Sequence, residues 1–301
     1  PTVTTTPTVT TTPTVTTTPT VTTTPTVTPT VTVTTTPTVT PTVTPCYPPS
    51  QPACNVTSLH LQPGANENIL DKSSNDYVIT TTGTVTNSTG STLFNQGVME
   101  FDGSSYLSVP GDSAELLFSS IIDASPDVTI EFWLNKTGHS AVVEGGSSAV
   151  IVSKGQYNLS GLGWVIATTT TDEIGLGLYE GDSALSYSLG SSTSIPRNEW
   201  HHLAAVRSAG EWRLYIDGTL EDQANDTGSL YSSNTSYDLL VGAAYGSSSG
   251  TKGSTTKYQG YLQDIRISQH AVYTCDFTPP TALHTVCDVP EPTPSVTVTP
   301  T

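Results

Sequence analysis

WHHLAAVRSAGEWRLYIDG, residues 200–218, holds two alternating segments and two turn signals. His202-Leu-Ala-Ala-Val206 and Arg213-Leu-Tyr-Ile216 alternate with the period of two that belongs to a strand. Ser208-Ala-Gly210 separates the segments and Asp217-Gly218 closes the second. Glycine supplies the positive φ that tight hairpins require, so the stretch predicts strand, turn, strand, turn. Outward from it the grammar repeats. Val128-Thr-Ile-Glu-Phe-Trp133, Leu239-Leu-Val241 and Tyr261-Leu-Gln-Asp-Ile-Arg-Ile267 are further short strands, set among Gly, Asn, Asp and Ser. No stretch shows the period of an amphipathic helix. Many short strands at regular spacing predict an all-β, two-sheet antiparallel jelly-roll sandwich.

Residues 1–45 belong to a different regime. They contain only Pro, Thr and Val, carry no charge, and cannot bury a core. Every even position from Thr2 to Thr44 is Thr, while every Pro and every Val is odd. The unit length drifts but the parity never breaks. Polyproline II, with three residues per turn, would scramble these faces; an extended ribbon keeps them apart. One face is then all Thr hydroxyl. Because Pro lacks an N–H, one edge of the ribbon loses donors at each Pro and the Thr edge keeps all of its own. Residues 290–301, PEPTPSVTVTPT, return to nearly the same alternation. Two readings follow: a mucin-like stalk O-glycosylated at Thr2, Thr4, Thr6, Thr8, Thr10, Thr12 and onward, or a ribbon that packs in an assembly. The expected organisation is a repeat over 1–45, one jelly roll over 46–289, and a Pro/Thr segment over 290–301.

The charges all lie beyond the repeat, 9 Lys and Arg against 26 Asp and Glu, for a net charge of −17. Such a chain repels a phosphate backbone and an anionic bilayer, which argues against nucleic-acid partners and membrane docking. No apolar run is long enough to span a membrane. The chain opens at Pro1, without a visible signal peptide, which reads as a mature or excised segment. Cys46, Cys54, Cys275 and Cys287 flank the module as two close pairs, without zinc spacing. They read as disulfides of an oxidising compartment. Three connectivities are open: each pair closing locally, or either of two staples joining the start of the module to its end.

Six motifs in order carry a resemblance: Asp71-Lys-Ser-Ser-Asn75, Phe101-Asp-Gly-Ser-Ser-Tyr-Leu-Ser-Val-Pro110, Thr129-Ile-Glu-Phe-Trp133, Trp200-His-His-Leu-Ala-Ala-Val-Arg207, Leu214-Tyr-Ile-Asp-Gly218 and Gly260-Tyr-Leu-Gln-Asp-Ile-Arg-Ile267. Over roughly 54–285 the chain resembles the laminin-G-like, concanavalin A-like jelly roll. Its ending, Tyr273-Thr-Cys-Asp-Phe-Thr-Pro-Pro280, is similar to the version in phage and other virus structural proteins. That fold hosts lectins, adhesion modules, glucanases and structural domains, so function must come from a site.

Glucanases of this superfamily carry an acidic triplet alternating along one strand. Glu131 has Thr129 and Trp133 as its alternation neighbours, and Asp264 has Leu262 and Arg266, so hydrolysis is not expected. No cofactor is required. The resemblance implies calcium as a possible ion, with Asp71 and Asp264 as ligands. Asp102 and Asp217 read as turn formers. His201 and His202, adjacent on a strand, face opposite ways and read as structural. Trp133 and Trp200 read as core; Trp212, Tyr179, Tyr187, Tyr231 and Tyr245 lie nearer loops, where a sugar could stack, but none is distinctive and each reads as core or incidental surface. Asn55, Asn87, Asn135, Asn158, Asn225 and Asn234 head N-glycosylation sequons. The expected function is a non-enzymatic structural subunit of an extracellular or virion-surface glycoprotein fibre, self-associating through the repeat. The alternative is a carbohydrate-binding adhesion module on a glycosylated stalk.

Overall fold

The computed structural model describes residues 57–64, 68–111, 127–139, 149–155, 163–179, 185–225, 237–246, 250–253 and 257–285. The repeat with its Thr2–Thr44 series, Cys46, Cys54, Cys287, Asn55, Asn158, Asn234 and Tyr231 lie outside the described residues, as do the side chains of Tyr179 and Tyr187. The chain divides into two units between Thr44 and Pro45, and all described residues belong to the second.

The described residues are all-β and contain no helix, as expected. Two antiparallel sheets form a jelly-roll sandwich. The larger has nine strands: β1 (Thr57–Pro63), β2 (Ile69–Asp71), β4 (Val85–Leu93), β5 (Gln96–Asp102), β7 (Val128–His139), β12 (His201–Ser208), β13 (Glu211–Ile216), β14 (Thr219–Asn225) and β16 (Tyr258–Ser268). Its order is β14-β13-β12-β7-β16-β1-β2, with β5 also pairing β16 and β4 pairing β5. The smaller sheet runs β11 (Leu185–Gly190), β10 (Ile174–Tyr179), β9 (Gly163–Thr168), β8 (Ala149–Lys154), β15 (Leu239–Val241), β6 (Tyr106–Val109) and β3 (Thr80–Thr82).

Alternation places the core between the sheets. Val128, Ile130, Phe132 and Leu134 of β7 point inward, as do Leu203 and Ala205 of β12 and Trp212, Leu214 and Ile216 of β13. Trp212 is fully buried there, not near a loop, because its odd-even phase follows Leu214. Fully burying each Val, Leu, Ile or Phe contributes roughly 1.5–3 kcal/mol. Both expected hairpins form. Ala209 and Gly210 (φ 50° and 79°), and Asp217 and Gly218 (φ 50° and 78°), take the double positive-φ turn whose twist matches paired strands. Asp102 caps its turn as read, accepting the N–H groups of Ser104 (2.8 Å) and Ser105 (2.9 Å).

Two features of β16 and its sequel decide what the outer face of the larger sheet becomes. Along one edge β16 pairs β5 through Gln259–Leu262 and β1 through Ile265–Ser268. Asp264, at φ 57°, is the bulge residue between the two partners, where the register against β7 also shifts. The bulge resets the alternation, so Leu262 and Ile265, three apart, both face the core. After β16, residues 269–285 form a strap over the outer face. Val272 N–H donates to Thr129 Oγ1 (2.9 Å), Phe277 N–H to the Gly218 carbonyl (2.8 Å), and His284 N–H to Asp264 Oδ2 (2.9 Å). The strap thus runs from β7 out to the β13–β14 turn and back to β16. Tyr273 and Phe277 stack at 3.6 Å, and Phe277 meets Tyr215 edge-on at 5.4 Å.

Gly218 holds the far end of the strap. A Cβ there would sit 1.9 Å from the Phe277 carbonyl oxygen, at a φ of 78° that L residues resist. Gly218→Ala is therefore expected to cost about 1–3 kcal/mol. Thermal unfolding should report the loss, and limited proteolysis should cut first within 269–285.

Candidate functional site

The outer face of the larger sheet gathers the polar residues that the strap seals. Alternation on β7 turns Thr129, Glu131 and Trp133 away from the core. Register sets Arg266 of β16 on one side of Glu131 and Ala204 of β12 on the other. Arg266 Nε and a terminal guanidinium nitrogen donate to Glu131 Oε1 at 2.8 and 2.5 Å. The Tyr273 hydroxyl of the strap donates to Oε2 at 2.7 Å, while Nε2 of His202 and of His284 approach it at 3.4 and 3.7 Å. Glu131 is 0% exposed and Arg266 3%. Burial alone would push the Glu131 carboxyl up; the Arg266 charge first, then His202 and His284, outweigh it and hold the carboxyl well below the ordinary range. Tyr273 moves the other way, pushed up by burial and by Glu131.

Asp264 is the second centre. His60 Nε2 lies 2.7 Å from its Oδ1 and His284 Nδ1 2.6 Å from its Oδ2, and the Gln62 amide donates to Oδ1 at 2.9 Å. A ring nitrogen this close to a carboxylate carries the proton. Burial raises this carboxyl too, and the hydrogen bonds and charges of His284 and His60 reverse it to a value far below the ordinary range. His284 thus faces both carboxylates, and His60 on β1 and His284 on the strap are clipped to one aspartate.

Calcium at Asp71 and Asp264 does not fit these residues. Asp71 Oδ1 accepts the N–H groups of His60 and Ser73 (both 2.9 Å), and Oδ2 accepts the Ser73 hydroxyl (2.7 Å) and the Tyr77 N–H (3.0 Å). A cation would meet protons, not lone pairs, on every side of both carboxylates. Asp71 holds the turn after β2, and Asp264 holds the strap. Among the described residues no group of three or more His, Cys, Asp or Glu could hold a metal ion.

The other residues singled out by the sequence separate in the fold. His202 is buried under the strap, whereas His201 Nδ1 reaches Asp217 Oδ2 at 2.7 Å, so the two rings face opposite ways. Trp133 and Trp200 are half-buried on the outer face, not in the core; Trp133 meets Phe94 and His202 edge-on, and Trp200 leans on Tyr261 at 6.5 Å. Tyr245 is buried, its hydroxyl accepting the Asp238 N–H (3.1 Å). Asn225 is exposed at the end of β14, but Asn135 is 6% exposed within β7, and the Asn87 amide donates to the Gly64 carbonyl (3.1 Å). A glycan on Asn135 has no room in the folded module. Cys275, on the strap, is disulfide-bonded, with its pairing outside the described residues. Sequence reading missed the Glu131–Arg266 pair and the roles of His60, Gln62, Tyr273 and His284. The broken alternation at Leu262 and Ile265 was the one signal of the bulge that assembles them.

With sandwich, bulge and strap in place, the class is a two-sheet lectin-like jelly roll. The chain belongs to the concanavalin A-like lectin/glucanases superfamily, whose profile matches residues 101–275. Among solved structures, one similar chain is from botulinum neurotoxin type C, in work on its dependence on two ganglioside molecules for cell entry. It is 17% identical at a TM-score of 0.50, over 72% of this chain and 49% of that one. Another is domain 4 of an extracellular arabinanase from Geobacillus stearothermophilus in complex with arabinotriose (14%, TM-score 0.46, 72% and 94%). A third is the CBM40 of the Ruminococcus gnavus IT-sialidase bound to α2,3-sialyllactose (13%, TM-score 0.46, 58% and 90%). The chain spans about half the length of the toxin chain it matches. At these identities the likeness is one of fold. No curated protein sequence matches the chain.

Proposed function

We propose that this chain is a non-enzymatic structural subunit of an extracellular fibre, at a cell or virion surface, in which the Thr/Pro/Val repeat is the assembly element and the jelly roll the packing or display module. The observation that carries the reading is the sealed outer face: Glu131 and Asp264, the buried carboxylates there, are consumed by Arg266, Tyr273, His60, Gln62 and His284 and covered by the strap. Neither is placed to exchange a proton with a ligand from solvent, which general acid–base chemistry demands. The parity of the repeat supports the assembly half, because a strand-like ribbon with one donor-complete edge can pair along that edge. The Thr face of the same ribbon would carry O-glycans. Deleting residues 1–45 is expected to abolish fibres in electron micrographs while the far-ultraviolet dichroism of the β-module is unchanged. Fibres from the truncated chain would overturn the reading.

Membership of a superfamily that includes lectins supports a second reading, a carbohydrate-binding module on a glycosylated stalk. It differs in its outcome: the monomeric chain would bind on a glycan array.

A further inference from the structure

The margin of the sandwich formed by β2 and β3 differs in kind from the opposite margin. At the far side, the β11 and β14 edges are shielded by acidic side chains, Asp222 accepting the Gly190 N–H (3.0 Å) and Glu221 the Ser192 N–H (3.1 Å). Here β3 ends its sheet, and among the described residues it pairs with β6 alone. Thr80, Thr81 and Thr82 are all exposed. The edge, three residues long, carries no charge, no proline and no bulge, three of the devices that ordinarily keep an edge strand from accepting another. The large hydrophobics exposed among the described residues also sit at this margin, Leu70 (38%) on β2 and Val78 (76%) two residues before β3.

The sequence of this edge supplies its partner. Residues 80–86 read TTTGTVT, and residues 4–10 of the repeat read TTTPTVT, a match broken only where Gly83 turns the chain at φ 75°. We propose that β3 is the acceptor edge for strand addition by the Thr/Pro/Val repeat of another copy of this chain. The inference rests on the fibre reading above and deepens it by naming where the ribbon docks. The ribbon offers an unbroken row of N–H donors along its Thr edge and, with donors missing at each Pro on the other edge, ends the sheet instead of propagating it. Charge selects the ribbon over a second module: residues 1–45 carry none, whereas the whole net charge of −17 lies beyond them and sets module against module. Val78 and Leu70 give the odd, Pro/Val face of the ribbon an apolar shelf.

The test uses the full chain with Thr81 replaced by a photoreactive p-benzoylphenylalanine, mixed with an isotopically heavy unsubstituted copy. Position 81 is exposed, so the module should keep its unfolding temperature, and position 80 serves as a second probe site should it not. The expected result is a cross-link from position 81 to residues 2–44 of the heavy chain, identified by mass spectrometry and lost in a heavy chain lacking residues 1–45. Cross-links confined to the light chain itself, to another module, or absent altogether overturn the docking site. Fibres seen in the same sample without the cross-link would leave the fibre reading standing and remove only this inference; absence of both would remove both.

Discussion

Glu131→Gln is expected to lower the stability of the module by about 3–5 kcal/mol, the cost of leaving one member of a buried ion pair without its opposite charge. Glutamine keeps the volume, its carbonyl oxygen can still accept from Arg266, and its amide can donate to the Tyr273 hydroxyl, so the loss reads charge more than packing. The pair is buried, with 4% and 0% side-chain exposure for Arg266 and Glu131. Its hydrogen bonds join three elements, β7, β16 and the strap, so urea unfolding should show a lower midpoint with an unchanged slope. Restoring balance by removing both charges, as Glu131→Leu with Arg266→Met, should recover much of the stability, because a hydrophobic pair of similar volume escapes the desolvation cost. A Glu131→Gln protein as stable as the native one would mean that the pair contributes nothing to holding the strap.

Acid should unfold the module through Asp264 and Glu131, and Asp264→Asn should flatten that response. Both carboxyls have folded pKa values below their unfolded ones, near 3.8 and 4.5. A depressed folded pKa contributes stability that is complete above the unfolded value and lost as pH falls toward the folded one. The unfolded chain therefore binds more protons below about pH 4.5, and stability declines with acid by about 1.4 kcal/mol per pH unit for each such group. Asp102, with its pKa lowered to about 2 by the Ser104 and Ser105 hydrogen bonds against the burial that raises it, adds a third, more exposed contribution. Asparagine tolerates the positive φ of the bulge, so Asp264→Asn keeps the backbone while removing one proton from the balance. The slope of stability against pH between 3.8 and 2, from urea titrations, should be shallower in the variant by about 1.4 kcal/mol per unit. An identical slope would show that Asp264 is not held ionised by His60 and His284. The same variant should expose the 269–285 segment to protease first, since His284 loses its charged anchor.

The amino-acid sequence alone determined the central strands, because alternation is a local property: each of β7, β12 and β13 carries its own period of two, and Ala209-Gly210 and Asp217-Gly218 carry their own turns. It also determined the parity of the repeat and the separation of an uncharged ribbon from an acidic module, which are facts of order and composition. Trp212, Trp133 and Trp200 show where local reading stops. Which side of a strand meets the other sheet follows from phase within the strand, but which outward-facing rings are then covered depends on a segment from elsewhere. Only the tertiary structure decided that Glu131 meets Arg266, 135 positions away, and that His60 and His284 close on the same aspartate across 204 and 20 positions. The physical reason is that a buried charge is tolerable only beside its complement. That complement is chosen by strand register, by one bulge at Asp264, and by the path of the strap, none of which is written in the neighbourhood of the residues it joins.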